Sequence, residues 1–236
     1  MSEYKVLDLY CSAGGVGLAL DKLGYDSIGV DIEDYSEKYC QTFVQADASD
    51  LGSLLVALRE YIGVRGSKFD LVWASPPCLA YTTLNQVNAS RYNWDETPKE
   101  RYPTIPELNV RKVCKALGKE YIIENVGGCD DLHEPTEING FGVGIDSLRN
   151  THLFETSFSC PDAVSTGVAE HVTGSIMEHR ENLATVKGLP ESWTEQEINS
   201  GIPKPYVQHL LHYCPTFDGV ESVDGTTQLK LTDVTA

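Results

Sequence analysis

Short apolar runs alternate with amphipathic stretches along the first half of the chain. The apolar runs predict buried strands, and the stretches with apolar residues three and four positions apart predict helices. The predicted strands are residues 5–10, 26–30, 43–45, 69–74 and 121–125. The predicted helices are residues 18–23, 51–62 and 105–117, the last with Pro106 in its first turn. Strands that alternate with helices predict an α/β fold, with a doubly wound, mostly parallel sheet covered on both faces.

A single domain is expected over residues 1–214, because 236 residues are enough for one well-buried core. Residues 79–104 interrupt the alternation with a polar and aromatic stretch, which predicts a mobile loop that contacts the substrate. Helical spacing resumes over residues 193–213, where two prolines interrupt it. Residues 215–236 are polar and carry Thr and Asp, which predicts a flexible acidic tail.

The composition adds a strong acidic bias to this picture. Hydrophobic residues make up 41% of the chain, which is typical of a globular protein and argues against disorder. The net charge is −17, from 18 basic and 35 acidic residues. An excess of this size indicates either a partner that is not a polyanion, or adaptation to a high-salt host in which an acidic surface maintains solubility. Composition leaves both interpretations open, and the motifs below favour the second.

The cysteine pattern and the absence of long apolar runs indicate the cellular compartment of the protein. The number of cysteines is odd and no CxxC pair occurs, so free thiols are expected. The chain shows no secretory leader and no apolar run near the roughly 20 residues that span a bilayer. We therefore expect a soluble cytoplasmic protein with no membrane contact. The seven cysteines are Cys11, Cys40, Cys78, Cys114, Cys129, Cys160 and Cys214.

Three strand ends carry residues suited to an adenosine ligand. Gly14, Gly15 and Gly17 lie between the first strand and its helix, where the backbone can approach a ligand and the helix offers free N–H groups. Asp31 ends the second strand, where a carboxylate can accept ribose hydroxyls, and Asp47 follows the third strand, where it can accept from an adenine amino group. The spacing is not GxGxxG, which disfavours a dinucleotide. The alternative is that both aspartates only cap strand ends.

Four motifs in order give the chain a resemblance to a known family. DLYCSAGGVGLAL at 8–20 resembles the first motif of the DNA cytosine-C5 methyltransferases, ASPPC at 74–78 resembles their Pro-Pro-Cys motif, and ENV at 124–126 matches their Glu-Asn-Val motif. INSGIPKPYVQHLL at 198–211 resembles the C-terminal motif of small phage-type members, and KGLPESW before it also fits them. The resemblance covers residues 4–213 and implies a class I S-adenosylmethionine-dependent methyltransferase (Rossmann-like) fold.

The family resemblance also implies a reaction and its residues. Cys78 would be the nucleophile that adds to C6 of a flipped-out cytosine, and Glu124 would hold the N3 edge of that base. Pro77 stiffens the loop of the thiol, and Asn125 either positions that loop or is an ordinary turn residue. S-adenosylmethionine would be the methyl donor. The implied cofactor-binding residues are Asp8, Leu9, Tyr10, Cys11, Ser12, Gly14, Gly15, Asp31, Ile32, Asp47, Ala48, Pro76, Ser200 and Gly201.

The chain departs from the family at two places near the site. Leu79 follows the cysteine where the family usually has Gln. An Arg-x-Arg pair of the family is replaced by Asn150 and His152, and Arg149 is expected to supply the missing charge from one position earlier. Arg and His are not equivalent donors, so the contact with cytosine O2 is in question. His152 is either part of the catalytic set or a histidine on the surface of a strand.

Target recognition must use little of the chain. Only residues 157–187 stand where fuller family members have a recognition domain, and this segment is too short for a core of its own. We expect short or relaxed selectivity, read by this segment and by residues 79–104. Arg91, Lys99 and Arg101 are expected either to contact phosphate or to form a solvated loop surface. Cys160, His171 and His179 match no standard zinc spacing, so no metal is expected.

The expected substrate is double-stranded DNA, methylated by a monomeric enzyme, and a restriction partner is left open. One alternative keeps the chemistry but applies it to RNA, single-stranded DNA or a free cytosine nucleotide, which the acidic charge and the short recognition segment favour. A second alternative is a non-catalytic regulatory module that binds S-adenosylmethionine. The presence of both Cys78 and Glu124 argues against that module.

Overall fold

The computed structural model describes residues 5–62, 68–145, 148–166 and 180–223. Seven strands in these ranges form one sheet in the order β3-β2-β1-β4-β5-β7-β6. The strands are β1 (Lys5–Leu9), β2 (Asp26–Asp31), β3 (Thr42–Gln45), β4 (Phe69–Ala74), β5 (Gly118–Val126), β6 (Thr136–Asn139) and β7 (Thr151–Thr156). The helices are α1 (Gly15–Lys22), α2 (Leu51–Ala57), α3 (Arg59–Ile62), α4 (Thr83–Arg91), α5 (Pro98–Arg101), α6 (Val110–Leu117), α7 (Arg180–Lys187), α8 (Glu195–Ser200) and α9 (Lys204–Tyr213).

Strand directions confirm the predicted fold class. The first five strands pair in parallel, and β7 enters antiparallel between β5 and β6 at one edge. Helices cover both faces: α1 and α9 pack on one, and α2 and α6 pack on the other. This α/β, doubly wound, mostly parallel sheet has the strand arrangement of the class I S-adenosylmethionine-dependent methyltransferase (Rossmann-like) fold. Parallel pairing brings the carboxyl ends of five strands to one edge of the sheet, where ligands bind in such folds.

Two predicted helices are shorter or broken in the structure. The helix predicted over 105–117 begins at Val110, because Asn109 adopts a left-handed conformation (φ 53°), so Pro106 lies in the preceding turns. The helix predicted over 51–62 divides at Leu58, where the backbone leaves the helical region (φ −90°, ψ 3°). The helical stretch predicted over 193–213 likewise forms two helices, α8 and α9, separated by Gly201–Pro203.

The segment predicted as a loop, residues 79–104, contains two helices. Thr82 caps α4 with its side chain, and Asn85 of α4 donates from Nδ2 to the Leu79 carbonyl oxygen at 2.8 Å. Thr97 and Glu100 form a reciprocal capping box at the start of α5. Each cap satisfies N–H groups that a helix end leaves unpaired, so these polar sequences form helices without a strong apolar face.

The first residues of the segment predicted as a flexible tail pack on the core. Phe217 is buried and meets Tyr25 edge to face, with ring centroids 5.0 Å apart, and Val220 and Val223 pack on the same core cluster. The apolar contacts of Phe217 offset the loss of chain freedom, so the packed domain extends past residue 214 as far as residue 223. Residues 224–236 of the tail lie outside the described residues.

No helix in the described ranges has both the length and the apolar character needed to cross a membrane.

Candidate functional site

Glu124 and His152 meet near the carboxyl end of β5, and Cys78 follows the neighbouring strand β4. Glu124 and His152 are both buried, and Glu124 Oε1 lies 2.7 Å from His152 Nδ1. His152 lies on β7, two residues before Phe154, which is the residue that pairs with Glu124. Burial, and then the nearby charge of Glu124, raises the pKa of the half-buried Cys78 thiol above its ordinary value. The thiol and the carboxylate therefore belong to one electrostatic environment.

Asn125 holds the loop that presents Cys78. It is buried at the end of β5, and its Nδ2 donates to the Pro76 carbonyl oxygen at 3.1 Å. Pro77 follows without a backbone N–H, and the Cys78 carbonyl oxygen accepts from Tyr81 N at 2.9 Å. A side-chain bond on one side of the cysteine and a tight turn on the other restrict the position of the sulfur.

The glycine turn after β1 is shaped by a tyrosine that the sequence did not indicate. Gly14 has φ 94°, a left-handed conformation that favours glycine, and Tyr10 and Ser12 in the same turn also have positive φ. A Cβ atom on Gly14 would lie 2.7 Å from the ring of Tyr39, and one on Gly17 would lie 2.5 Å from its hydroxyl. These two glycines therefore make room for the buried Tyr39 ring.

Gly15 instead makes room for the C-terminal motif. A Cβ atom on Gly15 would lie 2.9 Å from Gly201 Cα and 2.9 Å from Ile202 N. Gly201 is buried, whereas the neighbouring Ser200 is exposed and donates its hydroxyl to the Gln196 carbonyl oxygen at 2.9 Å. The turn after β1 and the segment between α8 and α9 thus approach at backbone distance, as the resemblance implies for a cofactor site.

Two aspartates at the ends of β2 and β3 place hydrogen-bond acceptors at the same edge of the sheet. One Asp31 oxygen accepts from Ser12 N at 2.9 Å and the other from Glu33 N at 3.1 Å. Asp47 Oδ1 accepts from Ser49 N and Oγ. Ile32 beside Asp31 is 66% exposed, although it is a large aliphatic residue. Carboxylate oxygens keep further lone pairs, so this edge offers acceptors and an apolar surface to an adenosine group.

Other predicted cofactor residues lie deeper in the fold. Leu9 and Ala48 are buried in the core, so only their backbone can face a ligand. Asp8 is also buried, and burial raises the pKa of its carboxyl to about 8, although Tyr39 donates to Oδ2 at 3.3 Å. Burial likewise raises the pKa of the Cys11 thiol. Among the described residues, Asp8 Oδ1 and the Tyr10 hydroxyl are buried without a hydrogen-bond partner.

The predicted cationic residues do not gather at the thiol. Arg149 is exposed, two positions before β7. Lys99 pairs with Asp130 at 2.6 Å and Asp131 at 3.1 Å, which neutralises its charge. Arg101 stacks over the Trp94 ring, and Arg91 lies over the Tyr92 ring. Lys187 is a buried lysine within the electrostatic reach of Glu124, and no sequence motif indicated it.

A metal site is not evident in the described part of the chain. Within the ranges listed above, no group of three or more His, Cys, Asp or Glu side chains is placed to hold an ion. Cys160 is partly buried, and its thiol points to the Pro161 carbonyl oxygen at 3.7 Å. His171 and His179 lie outside the described residues.

Replacing Glu124 with glutamine should make the Cys78 thiol more acidic. The substitution removes the negative charge that helps raise the thiol pKa, so the alkylation of Cys78 by iodoacetamide should reach its half-maximal rate at a lower pH than in the wild type. Mass spectrometry of the Cys78 peptide follows this one thiol among the seven. Glu137→Gln, an exposed residue on β6, makes the same charge change and should leave the midpoint in place. A midpoint unchanged in Glu124→Gln would contradict the coupling.

Comparison with known proteins adds several resemblances. No family model matches the chain. The release factor glutamine methyltransferase of Bacteroides thetaiotaomicron is 25% identical over 150 residues, which cover 58% of this chain and 53% of that protein. The chain therefore spans about half the length of this curated relative.

Similar solved structures include three methyltransferase-type proteins. The Entamoeba histolytica methyltransferase EhMeth has a TM-score of 0.49 and 11% identity, covering 94% of this chain and 100% of that one. The S. pombe Dnmt2 methyltransferase has a TM-score of 0.47 and 13% identity, covering 88% and 96%. A Spodoptera frugiperda DNMT2 mutant has a TM-score of 0.43 and 16% identity, covering 72% and 54%. All three share little sequence with this chain.

Proposed function

We propose that the chain is an S-adenosylmethionine-dependent methyltransferase that methylates C5 of a flipped-out cytosine in DNA through a covalent Cys78 adduct. One observation carries the proposal: Cys78 and Glu124 come from different strands into one environment, in which Glu124 is held by His152 at 2.7 Å. A nucleophile beside an oriented carboxyl group, next to a glycine turn, is the constellation that this reaction needs.

The cofactor edge fits S-adenosylmethionine. Asp31 would accept the ribose hydroxyls, and Asp47 would accept the adenine amino group. Ile32, 66% exposed, would cover one face of the adenine. The close approach of Gly15 to Gly201 would enclose the remainder of the molecule. When bound, S-adenosylmethionine supplies the electrophilic methyl group that C5 receives.

Three residues of the chain would carry out the other steps of the reaction. The sulfur of Cys78 bonds to C6, and its proton passes to solvent. Glu124 hydrogen-bonds the N3 edge of the base, where negative charge develops as C6 accepts the sulfur. His152 orients Glu124 through the Nδ1 contact. After C5 is methylated, the C5 proton passes to solvent, and the electron pair of the broken C–H bond restores the ring double bond and expels the Cys78 thiolate from C6.

A second candidate keeps this chemistry on RNA, single-stranded DNA or a free cytosine nucleotide. The net charge of −17 opposes binding of a long polyanion. Lys99, in the segment after Cys78, is paired with two aspartates and offers little charge to a phosphate. These two observations favour a substrate with fewer phosphate contacts than duplex DNA.

Bisulfite sequencing of DNA from cells that express the protein tests the proposal. We expect cytosines that resist conversion in expressing cells and not in cells that express Cys78→Ala. Purified protein with radiolabelled S-adenosylmethionine should transfer label to duplex DNA more than to matched single-stranded DNA, RNA or the nucleotide. Transfer to one of these alone would support the second candidate. Label on a release factor, or bound cofactor with no transfer to any cytosine, would overturn both candidates.

A further inference from the structure

Lys187 is a buried lysine at the end of α7 that the proposed reaction does not yet use. Its residue is 3% exposed. Nζ donates to the carbonyl oxygens of Ile198 at 2.9 Å, Asn199 at 2.8 Å and Gly201 at 3.0 Å. An ammonium group has three N–H donors, so these carbonyls satisfy all of them.

The three carbonyls belong to the last turn of α8 and the segment that follows. Carbonyl groups at the end of a helix lack partners within the helix and carry partial negative charge, which a cation stabilises. The same segment meets the glycine turn, because a Cβ atom on Gly15 would lie 2.9 Å from Gly201 Cα. Lys187 therefore fixes the backbone that closes the cofactor edge of the sheet.

Lys187 also lies within the electrostatic reach of Glu124. Burial lowers the pKa of Lys187 to about 8, and the charge of Glu124 opposes this change. The resemblance implied that Arg149 supplies a charge missing from the family's arginine pair, but Arg149 is exposed. Lys187 is instead buried, and its three donors are held by the segment that closes the cofactor edge.

We propose that Lys187 is a positioning residue that anchors residues 198–201 over the cofactor turn. The inference rests on the proposed function, because it assigns the anchored segment to the cofactor site.

Lys187→Met, which keeps most of the apolar side chain and removes the ammonium donors, tests this role. We expect the Kd for S-adenosylmethionine, measured by calorimetry, to rise at least about tenfold, because three buried carbonyls lose their donor. The KM for the cofactor should rise in parallel and kcat should fall. Lys187→Arg, which keeps the charge, should recover part of kcat. Partial unfolding alone would lower the active fraction and leave KM unchanged.

Lys22→Met is the matched control. Lys22 is exposed, and its Nζ donates to the carbonyl oxygen of Gly188, next to Lys187, at 3.0 Å. Its Kd and KM should match the wild type. If Lys187→Met is insoluble, Lys187→Gln replaces it, because the uncharged amide is shorter than lysine and has two N–H donors in place of three. Equal cofactor Kd in wild type and a soluble Lys187 variant would overturn the inference, whereas a wild type that binds no cofactor would overturn the proposed function.

Discussion

Cys78→Ala should abolish methyl transfer and leave cofactor binding intact. Without the sulfur, C6 of the base has no nucleophile, and C5 remains too electron-poor to accept a methyl group. Loss of a catalytic nucleophile costs on the order of 10⁴-fold or more in rate. Initial rates with radiolabelled cofactor measure the loss, and calorimetry should give a Kd for S-adenosylmethionine close to that of the wild type.

A duplex that carries 5-fluorocytosine gives a second readout of the same prediction. Fluorine at C5 blocks the final elimination, which requires loss of a proton from that carbon, so the Cys78–C6 bond should persist after denaturation. The wild type should form this adduct, and Cys78→Ala should not. Cys40→Ala, which removes an exposed cysteine, should form it as the wild type does. Methylation by Cys78→Ala at the rate of the wild type would leave the covalent mechanism without support.

The strands were predicted best where apolar runs were continuous. β1, β2 and β4 lie in the middle of the sheet, are covered on both faces, and fall within one residue of their predicted bounds. β6 (TEIN) was missed because an edge strand of four residues, three of them polar, carries no such run. The helix α4 was missed for a similar reason: Asn85 is its buried residue, and its stability depends on the Thr82 cap and on the link to Leu79.

The site was predicted best where residues follow parallel strands. Cys78, Glu124 and Asp31 come to one edge because their strands run in the same direction. Lys187 and Tyr39 were missed because their positions depend on packing between distant segments. Glycines in the sequence indicate that another group approaches the backbone, but they do not identify it. The structure shows that the group next to Gly14 and Gly17 is the Tyr39 ring.

Glu155→Gln should lower the free energy of unfolding by about 3–5 kcal/mol, the usual cost of removing one partner of a buried ion pair. Glu155 lies on β7 and is 3% exposed. Arg111 of α6 donates to it from Nε at 2.8 Å and from a terminal nitrogen at 2.6 Å, and His133 N donates at 2.8 Å. Glutamine presents one acceptor in place of two and leaves the guanidinium charge uncompensated. Urea unfolding followed by circular dichroism measures the loss.

Lys119→Ala separates burial from charge pairing. Lys119 pairs with Asp70 at 2.6 Å, but the lysine side chain is 55% exposed, so its removal should cost less than about 1 kcal/mol. The double variant Arg111→Met with Glu155→Leu should recover most of the stability lost in Glu155→Gln, because apolar residues leave no buried charge unpaired. If Glu155→Gln and Lys119→Ala cost the same, the pair does not hold α6 against β7. The apolar contacts of Val110, Val113 and Leu117 would then be what stabilises α6 on the sheet.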